Sequence, residues 1–311
     1  MDGNRDMMLF APELVHSLLT PFKEDNSIDY NTYDKIIEFH LSNGADSLAL
    51  PMHIGEYVSL SNAEKRDLIS FVLKKEKNIP VIAHVSDAGT KIAEDLSFFA
   101  IDSGASSIVV TTPYYWTPPA SMLLEHFLTI TKNIRSPIFI HNDPSNMGNA
   151  KISINILNGL LASRANSIYL LDSSLDWQFM IELVTLAEKN DSKIQLASGT
   201  DYYLSAAAIG ANTYFSSLGL IAPKLVRRLY DYCKIDSLFE ARKVQEAIAK
   251  LLYILKPYGV PGLKAASKYM GRDCGYCREP LNILSDEQQK TLEGQLKKSQ
   301  LLKNEIIGWN R

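Results

Sequence analysis

The sequence predicts an α/β protein, a (β/α)8 TIM barrel with a C-terminal helical extension, and three observations carry that reading. Eight short apolar or β-branched runs alternate with longer amphipathic ones: LVHSLL (14–19), SLAL (47–50), PVIAH (80–84), SIVV (107–110), PIFIH (137–141), SIYLL (167–171), KIQLA (193–197) and TYFSS (213–217). Their starts lie 33, 33, 27, 30, 30, 26 and 20 residues apart, and each interval fits one strand plus one crossover helix. No Pro-, Gly- or Ser-rich linker divides the series, so the eight units belong to one body.

Each element has a local reason. The apolar runs are nearly continuous, as strands buried on both faces require. Segment 30–43 sets Tyr33, Ile36, Ile37 and His40 or Leu41 on one helical face and stops at Asn43-Gly44, a C-cap signal. Segment 61–75 opens with Ser-Asn-Ala-Glu, a capping box. Segment 93–103 ends at Gly104, and 121–133, 153–162, 175–189 and 201–210 are read as helices in the same way. From Ala222-Pro223 onward the chain reads as about three further helices, interrupted at 256–262 (KPYGVPG) and 271–280 (GRDCGYCREP). The expected division is 1–222 for the barrel and 223–311 for the extension packed on it.

Composition narrows the functional classes. The 311 residues are 46% hydrophobic and 22% charged, which excludes disordered and low-complexity classes. A net charge of −3 gives no electrostatic footprint for nucleic acid or anionic membrane, so neither is an expected partner. Three cysteines (Cys233, Cys274, Cys277) are too few to staple the chain. With no signal-peptide pattern at the start and no apolar stretch near membrane-span length, a cytoplasmic protein is expected.

In a (β/α)8 barrel, chemistry belongs to the C-terminal strand ends and the loops after them. Those ends read Leu19-Thr20-Pro21, Met52-His53-Ile54-Gly55-Glu56, His84-Val85, Thr112-Pro113-Tyr114-Tyr115-Trp116, His141-Asn142-Asp143-Pro144, Leu171-Asp172-Ser173-Ser174 and Ser198-Gly199-Thr200-Asp201. Three of the six histidines, His53, His84 and His141, fall on this rim.

These motifs resemble the N-acetylneuraminate lyase and dihydrodipicolinate synthase family, with the lyase branch the nearer. LLTPF…SID, IGE, TPYY, NDPSNMG and SGTDYY occur in the family's order, and IAHV (82–85) and GLKAASKYM…CREPL (262–281) are similar to the lyase branch. The resemblance spans about 14–300 and implies a homo-oligomer, a dimer or tetramer, acting on pyruvate or other 2-oxo acids. It further implies a Schiff-base lysine ending strand six, a proton-shuttling tyrosine ending strand five, and a hydroxyl pair before the Gly-Glu after strand two. One tyrosine of the loop after strand four reaches toward a neighbouring subunit's site in this family.

The chain departs from that pattern at its centre. Leu171 stands at the lysine position, His141 at the tyrosine position, and His53-Ile54 replaces the hydroxyl pair, whereas Gly55, Tyr115, Asn142, Pro144, Gly199 and Asp201 remain. Only an amine forms the iminium that stabilises a carbanion, so the family's Schiff-base route requires another lysine. Lys151, Lys193 and Lys264 are the candidates, each with a more ordinary reading as a surface or structural residue.

Three functional readings follow. In the first, a lyase-family protein acts on a 2-oxo acid or sugar-acid-like molecule without the Schiff base. His141 is then general acid/base titrating nearer neutral pH, His53 holds a carboxylate or relays a proton, and Tyr115 assists. Ile54, Gly55, Asn142, Leu171, Ser173, Gly199 and Asp201 line the substrate site, and no cofactor is required. Asp201 has a second reading as the N-cap of the following helix. In the second reading, the chain is a pseudoenzyme or small-molecule-binding homologue. In the third, His53, His84 and His141, with Asp172 or Asp143, bind Zn²⁺ or a similar ion for a metal-dependent lyase or hydrolase. Cys274-Gly275-Tyr276-Cys277 has the spacing of a redox or half-zinc motif but lacks a second pair, and reads as structural.

Overall fold

Eight parallel strands close on themselves, each followed by a helix on the outside. The structure, a computed structural model, describes residues 13–163, 167–189 and 193–309. Segment 1–12, read above for a signal peptide, lies outside the described residues. The strands are β1 (Leu14–Ser17), β2 (Ser47–Leu50), β3 (Val81–His84), β4 (Ser107–Thr111), β5 (Ile138–Asn142), β6 (Ile168–Asp172), β7 (Ile194–Ser198) and β8 (Thr213–Ser216). All eight expected strands form, and β1 pairs with both β2 and β8 to close the ring.

The barrel helices are α1 (Tyr30–Ser42), α2 (Asn62–Lys75), α3 (Thr90–Asp102), α4 (Ala120–Thr131), α5 (Ile154–Ser163), α6 (Trp177–Lys189), α7 (Tyr203–Ala207) and α8 (Pro223–Lys234). Ser61 caps α2 with both halves of the capping box in place. Asn43 caps the end of α1, and Gly44 follows at φ +93°, a backbone angle that favours glycine. Helix α7 is shorter than 201–210, ending before a left-handed turn at Gly210.

Helix α8 completes the eighth unit, so the boundary expected at 222 falls ahead of the barrel's last helix. Three helices follow: α9 (Leu238–Leu255), α10 (Gly259–Tyr269) and α11 (Asp286–Ser299). The break expected at 256–262 is only partial, because α10 begins at Gly259 and carries Pro261 in its first turn. There no intrahelical partner for its missing N–H is lost. These helices pack on one another, and α9 lies against α7 and α8.

The core divides in two. Val15, Ala49, Met52, Ile82, Val109, Phe139, Tyr169, Leu171, Ala197 and Phe215 cluster as the barrel's inner filling. A larger cluster occupies the layer between strands and helices and extends into the C-terminal helices. The period of two along each strand divides residues between these layers.

Candidate functional site

Strand register sets which side chains share the barrel interior. Thr111 pairs with His141, His141 with Leu171, and Leu171 with Ala197. Leu171 and Ala197 belong to the inner cluster, so His141 faces inward beside them. His84 pairs with Val109, another inner residue, and joins the same interior from β3. Leu171 is fully buried, and His84 and His141 are 2% and 6% exposed.

Ser173, two residues beyond Leu171, anchors His141. Its Oγ lies 2.9 Å from His141 Nε2 and donates to the Gly199 carbonyl at 3.1 Å. A Cβ at position 199 would fall 2.2 Å from Ser173 Oγ, so the contact requires glycine there. On β3, Ser86 Oγ lies 3.1 Å from His84 Nε2 and accepts the Thr111 N–H at 2.7 Å. The remaining ring nitrogens, Nδ1 of His84 and of His141, are buried without a hydrogen-bond partner. The Tyr57 ring stands edge-on to His84 at 4.3 Å.

Burial governs the electrostatics. It pushes His141 down to about 4, against the opposing pull of the Asp143 carboxylate, while a charge on His53 depresses it further. Burial likewise holds His84 well below the ordinary histidine value, helped by His141, Lys65 and His53. The expectation that His141 titrates near neutrality is therefore corrected: desolvation disfavours the imidazolium, and the ring is a neutral base.

The other candidates are placed as follows. His53 is exposed and opens a 3-10 turn, His53–Gly55. Ile54 packs into the outer core rather than the barrel interior. Gly55 serves a close approach: its carbonyl accepts from Thr20 Oγ1 at 2.8 Å, and a Cβ would meet the Leu18 carbonyl at 2.9 Å. Asn142 is one step out of phase with His141 and faces the helices. It donates to Asp172 Oδ2 at 2.7 Å and accepts the Ile152 N–H at 3.1 Å, which occupies both ends of its amide. The Asp201 carboxylate accepts from the Tyr214, Ser216 and Ser217 hydroxyls on β8 and just beyond it. It does not cap α7, whose N-cap is Tyr202. Tyr115 is 84% exposed at φ +77°, its ring edge-on to Trp116, and lies outside this chain's own interior. Of the expected set, His141, Leu171, Ser173 and Gly199 come together, with His84 nearby.

The three-histidine metal set is not assembled: among the described residues, no three His, Cys, Asp or Glu side chains are grouped to hold an ion. The geometric reason is that exposed His53 sits on the loop while the other two point inward. No candidate lysine is free for the interior. Lys264 Nζ is 2.7 Å from Glu56 Oε1 and donates to the Tyr276 carbonyl. Lys151 is exposed 3.8 Å from Asp176, and Lys193 precedes β7 at the barrel's opposite end. Cys274 and Cys277 are unbridged and buried, their thiols pushed up to about 12 and 11 by desolvation.

Ser86, Tyr57 and the buried Lys65 escaped the sequence reading. Ser86 had a usable signal, since it lies two residues beyond His84 as Ser173 does beyond Leu171. Lys65 had none: its Nζ lies 3.8 Å from Asp87, a residue from a different unit.

Fold and interior together define a TIM-barrel protein whose candidate site lies at the C-terminal strand ends. The chain belongs to the dihydrodipicolinate synthetase family, whose model matches residues 12–299. It is 29% identical over 293 residues to a 4-hydroxy-tetrahydrodipicolinate synthase of Lachnoclostridium phytofermentans, covering 92% of this chain and 97% of the relative. A protein of the same name from Clostridium perfringens is 29% identical, covering 92% and 98%. The crystal structure of dihydrodipicolinate synthase from Aquifex aeolicus superposes with a TM-score of 0.85 at 28% identity, covering 93% of this chain and 98% of that one. No helix among the described residues is long and apolar enough to cross a membrane.

Proposed function

We propose that this chain binds a 2-oxo acid or sugar-acid-like molecule at the strand ends of β3, β5 and β6 and acts on it without a Schiff base. The observation that carries this is Leu171: it is fully buried in the barrel interior, in register beside His141, where the family resemblance requires an amine. A hydrocarbon side chain forms no imine at any pH. Support for a retained ligand site comes from the relatives' name, which denotes a synthase, and from two buried ring nitrogens left unpartnered. In this reading His141 is the proton acceptor, His84 the neighbouring polar contact, and His53 the group at the entrance whose charge disfavours protonating either ring.

The test is borohydride reduction in the presence of pyruvate, followed by intact-mass and peptide mass spectrometry. No lysine adduct is expected. A trapped adduct on any lysine overturns the reading. Thermal stabilisation by pyruvate or a related keto acid, measured in parallel, establishes occupancy independently of trapping.

A binding-only homologue is the second reading, favoured by the simultaneous replacement of both chemistry-bearing positions, at 141 and 171. Carbon–carbon bond cleavage of a hydroxylated oxo acid that disappears in His141→Gln eliminates it. A homo-oligomer, with Tyr115 and Trp116 contributing to contacts between copies, is part of the same proposal; sedimentation of the full chain reads it directly.

A further inference from the structure

The two interior histidines are each neutral, and a neutral imidazole has one protonated and one bare nitrogen. Which is which follows from the serines. Ser173 has a single hydroxyl proton. The Gly199 carbonyl can only accept, so the contact at 3.1 Å uses that proton. The contact at 2.9 Å with His141 Nε2 is then a hydrogen bond only if the ring donates. This places the proton on Nε2 and leaves Nδ1 a bare lone pair.

Ser86 is wired the other way. Its Oγ already accepts the Thr111 N–H at 2.7 Å, and no carbonyl takes its proton among the described hydrogen bonds. Giving that proton to His84 Nε2 at 3.1 Å satisfies both groups, and His84 then carries its own on Nδ1.

We propose that Ser173 and Ser86 are positioning residues that lock His141 and His84 into opposite tautomers, so that the interior presents a lone pair at His141 Nδ1 and a proton at His84 Nδ1. Both atoms are buried and unpartnered, a condition that costs stability until something completes it. The molecule that completes both supplies an acceptor oxygen to His84 and a hydroxyl to His141. A hydroxylated 2-oxo acid has this pairing, whereas pyruvate offers acceptors alone. This ligand half rests on the function proposed above; the tautomers do not.

Two-bond proton–nitrogen correlation spectra of the full chain labelled at histidine nitrogens read the tautomers directly, with His141→Gln and His84→Gln used for assignment. The expected pattern is Nε2–H for His141 and Nδ1–H for His84. Ser173→Ala shifts His141 toward a mixture while leaving His84 unchanged, Ser86→Ala does the converse, and Ser173→Thr restores the His141 pattern. An Nδ1–H signal for His141 in the unaltered chain, or no change in Ser173→Ala with its melting temperature preserved, overturns the proposal. In the ligand arm, pyruvate moves the His84 Nδ1 signal alone, and hydroxypyruvate moves both. Hydroxypyruvate leaving His141 unmoved overturns the ligand half while the tautomer result stands.

Discussion

Two polar clusters flank the loop at 53–56, and they are wired in opposite ways. On the interior side, His84 and His141 each keep a buried ring nitrogen without a partner. On the outer side, Glu56 is held at φ +57° and its carboxylate meets Lys264 Nζ at 2.7 Å and the Arg278 N–H at 2.8 Å. Lys264 also donates to the Tyr276 carbonyl, and Arg278 grips Glu64 through two nitrogens. Both cations lie over the Phe22 ring, at 4.8 and 4.4 Å. The clasp uses its charges to join the barrel to the C-terminal extension, and the interior holds two neutral rings instead. Charge pairing separates the two: Glu56 and Lys264 form a buried ion pair, whereas among the described residues no ion pair reaches either interior ring.

Substitutions in the clasp and in the interior should have separable effects. The largest effect is expected at the clasp. Lys264→Met leaves the Glu56 carboxylate buried and unpaired, and should cost about 3–5 kcal/mol in denaturant unfolding. Adding Glu56→Gln to it should return part of that loss. A single-variant cost below about 1 kcal/mol contradicts a stabilising buried ion pair.

Next is Leu171→Lys, which forces an amine into the apolar interior. A loss on the order of 3 kcal/mol is expected as desolvation drives the new lysine's pKa down. If the interior is a retained keto-acid site, the variant also gains a borohydride-trapped pyruvate adduct that the natural chain lacks. Peptide mass spectrometry locates it.

The pH dependence is smaller and graded. His141, held near 4 in the folded state, binds a proton near 6.5 when unfolded, so the unfolded chain takes up more protons between those values. Stability is therefore fully present above about 6.5 and falls as the pH drops toward 4, with at most about 1.4 kcal/mol per pH unit for this histidine. Urea midpoints of His141→Gln should show a shallower acid slope than the natural chain. An unchanged slope removes His141 from the balance. Smallest of all is Tyr115→Ala, expected to change unfolding of the single chain by less than about 0.5 kcal/mol because its side chain meets solvent. Sedimentation, not stability, is where its effect should appear.

The barrel was readable because strand spacing and capping are local: each apolar run and the Ser61–Glu64 box state their own role. The interior was half-readable. Period two along β5 and β6 places His141 and Leu171 inward, and the same rule, applied strictly, sends Asn142 outward to Asp172. The helix-cap reading of Asp201 fails because its partners, Tyr214, Ser216 and Ser217, become neighbours only when β7 and β8 pair. The depressed titration of His141 was invisible for a related reason, since burial belongs to the closed barrel and not to any segment.

Glu56 and Arg278 are 222 positions apart along the chain. At ordinary rates of synthesis, roughly 10–45 s separate their emergence. Until Lys264 emerges, 208 positions after Glu56, the carboxylate beside the entrance loop has no counter-charge, and the rim around His53 stays unfastened until Arg278 follows. Strand pairing can begin early, but the rim is completed by residues made last. A ribosome that stalls before Lys264 thus leaves the Glu56 carboxylate without the charge that pairs with it.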